Sequence, residues 1–148
     1  MAKENKEEVK IGIKSIKEVC FSQTQIEDIS INKKYLQFSF GFSLNAQKDT
    51  QTMNVTVGVR YLYKKHIVLE CKYLISFHII GFDQAIKVHD NNKELSANND
   101  LIVTLLNVGF GTLRGIVVVK TAGTLLGDFP MPVVNPAEIA KSATQQTL

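Results

Sequence analysis

The chain has 148 residues, the size of one ordinary domain, and is long enough to bury a core of its own. Its hydrophobic fraction of 45% and charged fraction of 21% exclude general disorder. The formal net charge of +3 is small, and lysines and acids are interspersed, so the composition argues against a nucleic-acid-binding protein.

Residues 1–10 are polar and charged, and we expect a flexible N-terminus without a signal peptide. Cys20 and Cys71 are the only cysteines in the sequence. Two thiols without a secretory segment suit a reducing compartment. We therefore expect a cytoplasmic protein with two buried, unpaired cysteines.

Three segments place apolar side chains at every second position, which is the pattern of strands with one buried face: Tyr35–Asn45, Met53–Tyr63 and Ile67–Ile79. The breaks between them, at residues 47–52 and 64–66, are short and polar. Short connections of this kind predict an antiparallel meander with one face covered and one face in water.

The segment Ile11–Ser22 alternates less regularly, and we predict it as a fourth, bulged strand. Residues 23–34 connect it to the meander and are longer than a hairpin turn. The stripe of Phe38, Phe40 and Phe42 could line a ligand cavity, but aromatic residues at strand spacing beneath a helix are usually core. We interpret the stripe as core.

A long helix is predicted from about Leu101 to Thr121, with Asn99 or Asp100 as its N-cap. The β-branched run of residues 116–119 and the glycines within residues 109–115 weaken its helix propensity. The segment is apolar nearly all round, so one sheet could not bury it fully. We infer that a second subunit covers the remainder.

The same apolar run is almost long enough to span a bilayer. Arg114 lies within it, and an arginine near the centre of a span costs about 2.5–3.5 kcal/mol. We therefore expect no stable membrane insertion. Residues 109–115 could also be read as a phosphate-binding glycine loop, but they lack the Walker lysine and the dinucleotide fingerprint, and close helix packing explains them better.

An apolar loop stiffened by prolines follows Gly123, and Asn135 before Pro136 predicts a short helix from Ala137 to about Gln145. The predicted fold class is α+β: a four-stranded antiparallel sheet covered on one face by a long and a short C-terminal helix. We expect one domain over residues 11–140 and a frayed tail over residues 141–148.

Catalytic and metal-binding patterns are not evident in the sequence. The three histidines lie on separate segments and have no metal-ligand spacing with one another or with the cysteines: His66, His78 and His89. The acids in the later part of the chain form no obvious pair, and no serine or cysteine lies in a nucleophile motif. We expect a protein that is not an enzyme and that uses no cofactor or metal.

Two stretches resemble the SecB family of export chaperones. Residues 69–82, LECKYLISFHIIGF, are similar to the last strand of the family, with its aromatic, apolar and glycine ending. Arg114, Gly123-Thr124 and residues 132–135, PVVN, are similar to the arginine, glycine-threonine and proline-valine-asparagine run of the family. The order of predicted elements also matches, and the resemblance spans roughly residues 10–140.

This resemblance implies an ATP-independent holdase, linked to protein export and assembled as a dimer of dimers. Such a protein binds unfolded polypeptides or preproteins in long surface grooves. Carried over by position, the peptide-binding candidates are Ile26, Ile29, Ile31, Leu125, Leu126, Phe129 and Met131. Since the family places its long helices at the subunit interface, the interface candidates are Leu105, Gly109, Leu113 and Arg114.

The family's partners are the SecA motor and, for some members, an antitoxin. Well-known members present an acidic sheet face to a basic SecA tail, whereas Arg60 and Lys72 accompany Glu70 here. The family's tryptophan near the crossover is also absent, and the crossover is short. Arg114 is interpreted either as pairing across a subunit interface or as extending to solvent.

Three other functions stay open. The protein could be a dedicated chaperone of one partner, such as an antitoxin. It could be a structural module whose apolar loop of residues 125–131 only packs subunits together. It could also be a hotdog-like acyl-thioester enzyme or small-ligand binder, although there the helix is wrapped early by the sheet instead of following it.

Overall fold

A computed structural model describes residues 8–27, 30–89 and 94–143. Its elements in chain order are β1 (Lys10–Gln23), β2 (Leu36–Gln47), β3 (Thr52–Tyr63), β4 (His66–Ile80), α1 (Phe82–Ala85), β5 (Ile86–His89), β6 (Glu94–Ala97), α2 (Asn99–Thr121) and α3 (Pro136–Ala143). Much of the predicted flexible N-terminus and frayed tail lies outside the described residues. The predicted α+β class is confirmed.

The four long strands form one antiparallel sheet in the order β1-β4-β3-β2. The predicted meander therefore forms β2, β3 and β4, and the first strand pairs with the last. Along β4, the register of β1 shifts twice, between Ile13 and Ser15 and again between Glu18 and Cys20. These shifts confirm the bulged strand that its irregular alternation predicted.

The apolar face of β3 forms the centre of the core. Its side chains on that face are at most 2% exposed: Met53, Val55, Val57, Val59 and Tyr61. Helix α2 packs over them so closely that a Cβ atom on Gly109 would lie 3.0 Å from Cγ1 of Val57. Each fully buried aliphatic side chain contributes about 1.5–3 kcal/mol, so this layer dominates the stability of the fold.

Helix α2 begins where Asn98 caps it, with Oδ1 accepting a hydrogen bond from the Asp100 N–H at 3.0 Å. The cap lies one residue before the two predicted candidates because the backbone is still extended at Asn98 (ψ 130°). The β-branched run is helical because Val117 is buried in the core, and tertiary packing outweighs weak propensity. The helix would be long and apolar enough to cross a membrane, but one face packs on the sheet.

Two features differ from the sequence prediction. A short hairpin of β5 and β6 follows α1 and is anchored in the core by Phe82 and Ile86. In addition, α3 packs mainly on α2, so the cover of the sheet is provided chiefly by the long helix. The predicted short helix α3 forms, and Asn135 caps it by accepting a hydrogen bond from the Ala137 N–H at 3.1 Å.

Candidate functional site

Two loops meet along a surface groove of about 510 Å³. The crossover loop (residues 24–35, described except for 28–29) joins β1 to β2, and the connecting loop (residues 122–135) joins α2 to α3. The groove is lined by Gln23, Thr24, Gln25, Ile26, Gly123, Thr124, Leu125 and Leu126. Its volume falls in the range of about 300–1,000 Å³ that is usual for ligand sites.

The Gly123-Thr124 pair determines where the connecting loop goes. Gly123 has a φ of 77°, which favours glycine, and the Thr124 N–H donates to the Thr121 carbonyl at 3.0 Å. The Thr124 hydroxyl donates to the same carbonyl at 2.7 Å and accepts from Nε2 of Gln23 at 2.9 Å. The pair thus reverses the chain after α2 and ties the loop to the end of β1.

Buried side chains then anchor the connecting loop on the core. Leu126 is 1% exposed and Met131 is 2% exposed. The Tyr61 hydroxyl donates to the carbonyl oxygen of Phe129 at 3.0 Å, and burial raises the pKa of Tyr61 to about 12, so this donor stays protonated. The connecting loop is therefore a fixed wall of the groove.

The crossover loop is tied at both ends to the β3–β4 hairpin. The Thr24 N–H donates to the Val68 carbonyl at 2.8 Å, and the Asn32 N–H donates to the Tyr63 hydroxyl at 3.3 Å. Asn32 also accepts from the Lys34 N–H through Oδ1, at 3.1 Å. The loop consequently crosses the end of the sheet where the hairpin turns.

The predicted peptide-binding residues divide into three groups. Ile26, Leu125 and Leu126 line the groove, although only Leu125, at 37% exposed, has a largely accessible side chain. Ile31 and Phe129 are half-buried against the core, and Met131 is buried beneath the loop. Ile29 lies outside the described residues.

The polar wall of the groove was not predicted. Gln23, Thr24 and Gln25 face the connecting loop, and nothing in their sequence pattern distinguishes them from ordinary loop residues. Of the described lining residues, none carries a titratable side chain. This arrangement can bury apolar side chains and donate or accept hydrogen bonds, but it offers no acid or base for catalysis.

The predicted interface residues occupy two environments. Leu105, Gly109 and Leu113 pack against the chain's own sheet. Arg114 is half-buried, and its buried Nε has no hydrogen-bond partner among the described residues. The exposed face of α2 instead presents Val108, Val118 and Val119.

Strand β1 leaves apolar surface uncovered. Ile11, Ile13 and Ile16 pair with Ile79, Phe77 and Ile75 of β4 and so lie on the same face of the sheet as the core. They nevertheless remain 36%, 52% and 45% exposed, whereas their three partners are fully buried. The helix therefore does not extend over this part of the sheet.

The outer face of the sheet carries more basic than acidic charge around Glu70. The Arg60 Nε lies 3.0 Å from Oε2 of Glu70, and the Lys72 Nζ lies 3.9 Å from its Oε1. Two cations thus share one carboxylate.

The described residues contain no cluster of three or more His, Cys, Asp or Glu that could hold a metal ion. Cys71 is buried, and burial raises the pKa of its thiol to about 11. A buried thiol with a raised pKa is a poor nucleophile. Cys20 is half-buried, and its thiol lies 3.7 Å from Oε1 of Glu70.

The fold is similar to two solved structures. The SecB-like chaperone Rv1957 of Mycobacterium tuberculosis, solved with a ChAD peptide from the HigA1 antitoxin Rv1956, aligns over 84% of this chain and 90% of its own. It has a TM-score of 0.53 and 12% identity. A protein of unknown function from Streptococcus agalactiae aligns over 86% of this chain and 98% of its own, with a TM-score of 0.46 and 11% identity.

No protein-family model matches the sequence, and no curated protein does. At 12% identity, the likeness to the SecB-like chaperone concerns the fold alone. The predicted architecture of a four-stranded antiparallel sheet followed by a long and a short helix is confirmed on that basis.

Proposed function

We propose that the protein is a divergent SecB-like chaperone that binds apolar segments of unfolded or newly made polypeptides without ATP. The observation that carries this proposal is the groove between the crossover loop and the connecting loop. Its walls come from the two segments that the family resemblance assigned to client binding, and they combine Ile26 and Leu125 with polar neighbours.

The chemistry of the groove suits extended chains of many sequences. Burial of apolar client side chains contributes about 25 cal/mol per Å², less the cost of ordering the client. Gln25 and Thr24 can bond client backbone groups, which every sequence has. Affinity would therefore depend little on side-chain identity, as a holdase requires.

Two kinds of client fit this chemistry. General binding of newly made proteins, in the cytoplasm and on the way to export, is our first proposal. Dedicated binding of one partner, such as an antitoxin, is the second, and the peptide bound to the SecB-like chaperone of similar fold supports it. Arg60 and Lys72 on the outer face disfavour delivery through a basic SecA tail, because like charges repel.

We also propose that the working form is a homo-oligomer. The isoleucines of β1 and the exposed valines of α2 form apolar surface that a second copy could cover. Within residues 8–27, 30–89 and 94–143, the buried Nε of Arg114 has no acceptor, and this supports pairing across a subunit boundary over extension to solvent, since a buried donor without an acceptor costs about 1–3 kcal/mol.

The enzyme alternative has less support. A hotdog-like acyl-thioester enzyme needs an acid or base beside its ligand, and none of the described groove residues is titratable. The fold shared with a SecB-like chaperone also favours binding over catalysis. A purely structural role for the connecting loop is separated from client binding by the experiment below.

The test is suppression of aggregation without ATP. Purified protein is added in stoichiometric amounts to a client diluted from denaturant, and light scattering is followed. The double variant Ile26→Ser and Leu125→Ser removes the apolar groove side chains but spares the buried anchors Leu126 and Met131. We expect the wild type to suppress scattering and the double variant to lose most of this activity.

Val133→Ser is the matched control, because Val133 lies in the same loop, is 86% exposed and does not line the groove. It should suppress aggregation as the wild type does. No suppression by the wild type across several clients would reject a general holdase. Equal activity of all three proteins would place client binding elsewhere on the surface.

A further inference from the structure

A cavity of about 380 Å³ lies on the outer face of the sheet, opposite the face that α2 covers. We call it the sheet pocket. Its lining residues come from strands β2, β3 and β4: Ser39, Phe40, Gly41, Phe42, Ser43, Thr56, Gly58, Val59, Arg60 and Lys72. None of them lines the groove between the two loops, so the two cavities are separate.

Two glycines lie directly opposite each other in the sheet pocket. Gly41 of β2 pairs with Gly58 of β3, and the register of these strands is unbroken, so no bulge accounts for the pair. Neither glycine has a positive φ, and a Cβ atom on Gly41 would meet nothing within 4 Å. The fold therefore does not require glycine at position 41, although glycine weakens the interior of a strand. Such a glycine marks a place where a ligand can approach the backbone closely.

Two cations beside the glycine pair share one carboxylate. Lys72 lies opposite Gly58 in the register, and its Cγ is 2.9 Å from where a Cβ atom on Gly58 would be. Glu70 lies 3.0 Å from the Arg60 Nε and 3.9 Å from the Lys72 Nζ. A guanidinium has five N–H donors and an ammonium has three, so one carboxylate leaves several of them available.

The charge around the sheet pocket is a surplus of one cation, counted over the described residues. In the four long strands, the acids are Glu70 and Glu18, and Glu18 pairs with Lys120 of α2 on the other face. Glu27 of the described crossover loop forms no ion pair with either pocket cation. The surplus can therefore attract an anion.

Three hydroxyl groups complete the polar lining. Ser39 pairs with Arg60 across the strands, and Ser43 pairs with Thr56, so hydroxyls flank the glycine pair on both sides. Within the part of the chain that the structure describes, these three hydroxyls form no hydrogen bond to another residue. Each can donate to an oxygen atom of a bound anion.

We propose that the sheet pocket binds the carboxylate of a small organic acid. Arg60 and Lys72 hold the carboxylate, because hydrogen bonds between a cation and a carboxylate are strong and a guanidinium matches both oxygens. The body of the ligand lies on the backbone of Gly41 and Gly58. A volume at the lower end of the range of about 300–1,000 Å³ for ligand sites suits a molecule of modest size.

The charge of the sheet pocket favours a carboxylate over a phosphate or a polyanion. A phosphate monoester carries a charge of about −1.5 to −2 at pH 7, and Glu70 beside the two cations would repel the second charge. A nucleic acid or an anionic membrane needs a broad basic surface, whereas the net charge of the whole chain is +3.

The experiment titrates benzoate into isotope-labelled protein at constant ionic strength and follows the backbone amide signals by NMR. Benzamide, which has the same ring without the charge, and inorganic phosphate are titrated in parallel. We expect benzoate to shift the amide signals of Gly41 and Gly58 to saturation, and benzamide to bind about tenfold more weakly or not at all.

Two variants test the space and the charge of the sheet pocket separately. Gly41→Val fills the cavity without changing a charge, and valine suits a strand, so the fold should persist while benzoate binding weakens about tenfold or more. Lys72→Met keeps an apolar stem over Gly58 and removes the ammonium group, which should weaken binding about three- to tenfold.

The matched controls are Gly12→Val and Lys10→Met. Both residues lie on β1 and outside the sheet pocket, and Gly12 also has open space around it. Both variants should bind benzoate as the wild type does. Absence of saturable shifts at Gly41 and Gly58, tighter binding of phosphate than of benzoate, or an equal loss in a control would each overturn the inference. Each of these results would leave the proposed function of the groove standing.

Discussion

At Gly127 the chain passes close to the end of α2, and a Cβ atom there would lie 2.7 Å from the carbonyl oxygen of Thr121. That oxygen already accepts two hydrogen bonds from Thr124, so it cannot move without breaking them. Because Gly127 has no side chain, the connecting loop can pack directly against the end of α2.

Gly127→Ala is expected to destabilise the protein by about 1–3 kcal/mol, because the added methyl group overpacks a rigid backbone contact. The free energy of unfolding from urea denaturation measures this. Gly115→Ala is the control, since open space surrounds Gly115 on α2, and alanine there should stabilise by up to about 1 kcal/mol. Equal effects of the two substitutions would contradict the close contact.

The sequence predicts the structural role of some residues of the site but not of others. The Gly123-Thr124 pair stood out, and it does direct the connecting loop. Leu125 and Leu126 look equivalent in the sequence, yet one is exposed and the other is buried. Whether a loop side chain is buried depends on the path of the backbone. A loop has no regular spacing of apolar residues from which that path could be predicted.

Strand β1 and helix α2 are linked by a small polar cluster. The Lys120 Nζ lies 2.6 Å from Oε1 of Glu18, and the Tyr73 hydroxyl donates to the same oxygen at 2.9 Å. Lys120 also lies 4.3 Å from the ring centroid of Phe21. The hydrogen bond from Lys120 lowers the pKa of the Glu18 carboxyl below its ordinary value of 4.5.

This shift predicts an acid-sensitive contribution to stability. A carboxyl whose pKa is lower in the folded state stabilises the fold above its unfolded pKa, and that contribution is lost as the pH falls through the folded pKa. Glu18→Gln should therefore lower Tm at pH 7, and its difference from the wild type should shrink as the pH falls below 4.5.

Thermal unfolding from pH 7 to pH 3, at low and at high salt, measures this difference. The effect should be small and weaker at high salt, because Glu18 is exposed to solvent and Lys120 is only half-buried. A difference that stays constant across the whole pH range would show that Glu18 acts through packing and not through its charge.

Whole elements were the most predictable part of the fold. Strict alternation located β3 and β4 because each has one fully buried face, as Val55, Val57 and Ile75 show, and β2 because its apolar face is half-buried against the core. The hairpin of β5 and β6 was missed because four-residue strands are too short to show a period.

The isoleucines of β1 raise the question of whether a second copy of the chain covers this part of the sheet. Ile13→Asp would place a charge in this uncovered apolar surface. We expect the wild type to have a mass above that of the 16.5 kDa chain in light scattering after size exclusion, and the variant to move toward one chain.

Val133→Asp is the control for added charge, since Val133 is exposed and lies outside β1. It should leave the assembly intact. A wild-type mass of one chain would contradict the homo-oligomer, and an unchanged mass for the Ile13 variant would exclude this face from the interface.

The oligomer stays a prediction, and the sequence supports it only in outline. A helix that is apolar nearly all round cannot be buried fully by one sheet and so predicts a second subunit, but the sequence does not say which side chains point outward. Leu105, Gly109 and Leu113 face the chain's own sheet, so a second copy would meet the other side of α2. Which side of α2 faces the sheet depends on how the helix is rotated about its axis. A segment that is apolar nearly all round does not reveal that rotation.

The two register shifts in β1 also determine what the outer edge of the sheet offers to another strand. A straight edge strand is a template for another strand, and repeated addition leads to amyloid-like growth. The shifts interrupt that template, and Lys10, Lys14 and Lys17 place charge along it. Strand β1 could therefore present its isoleucines to the second copy proposed above without offering an edge for unlimited strand addition.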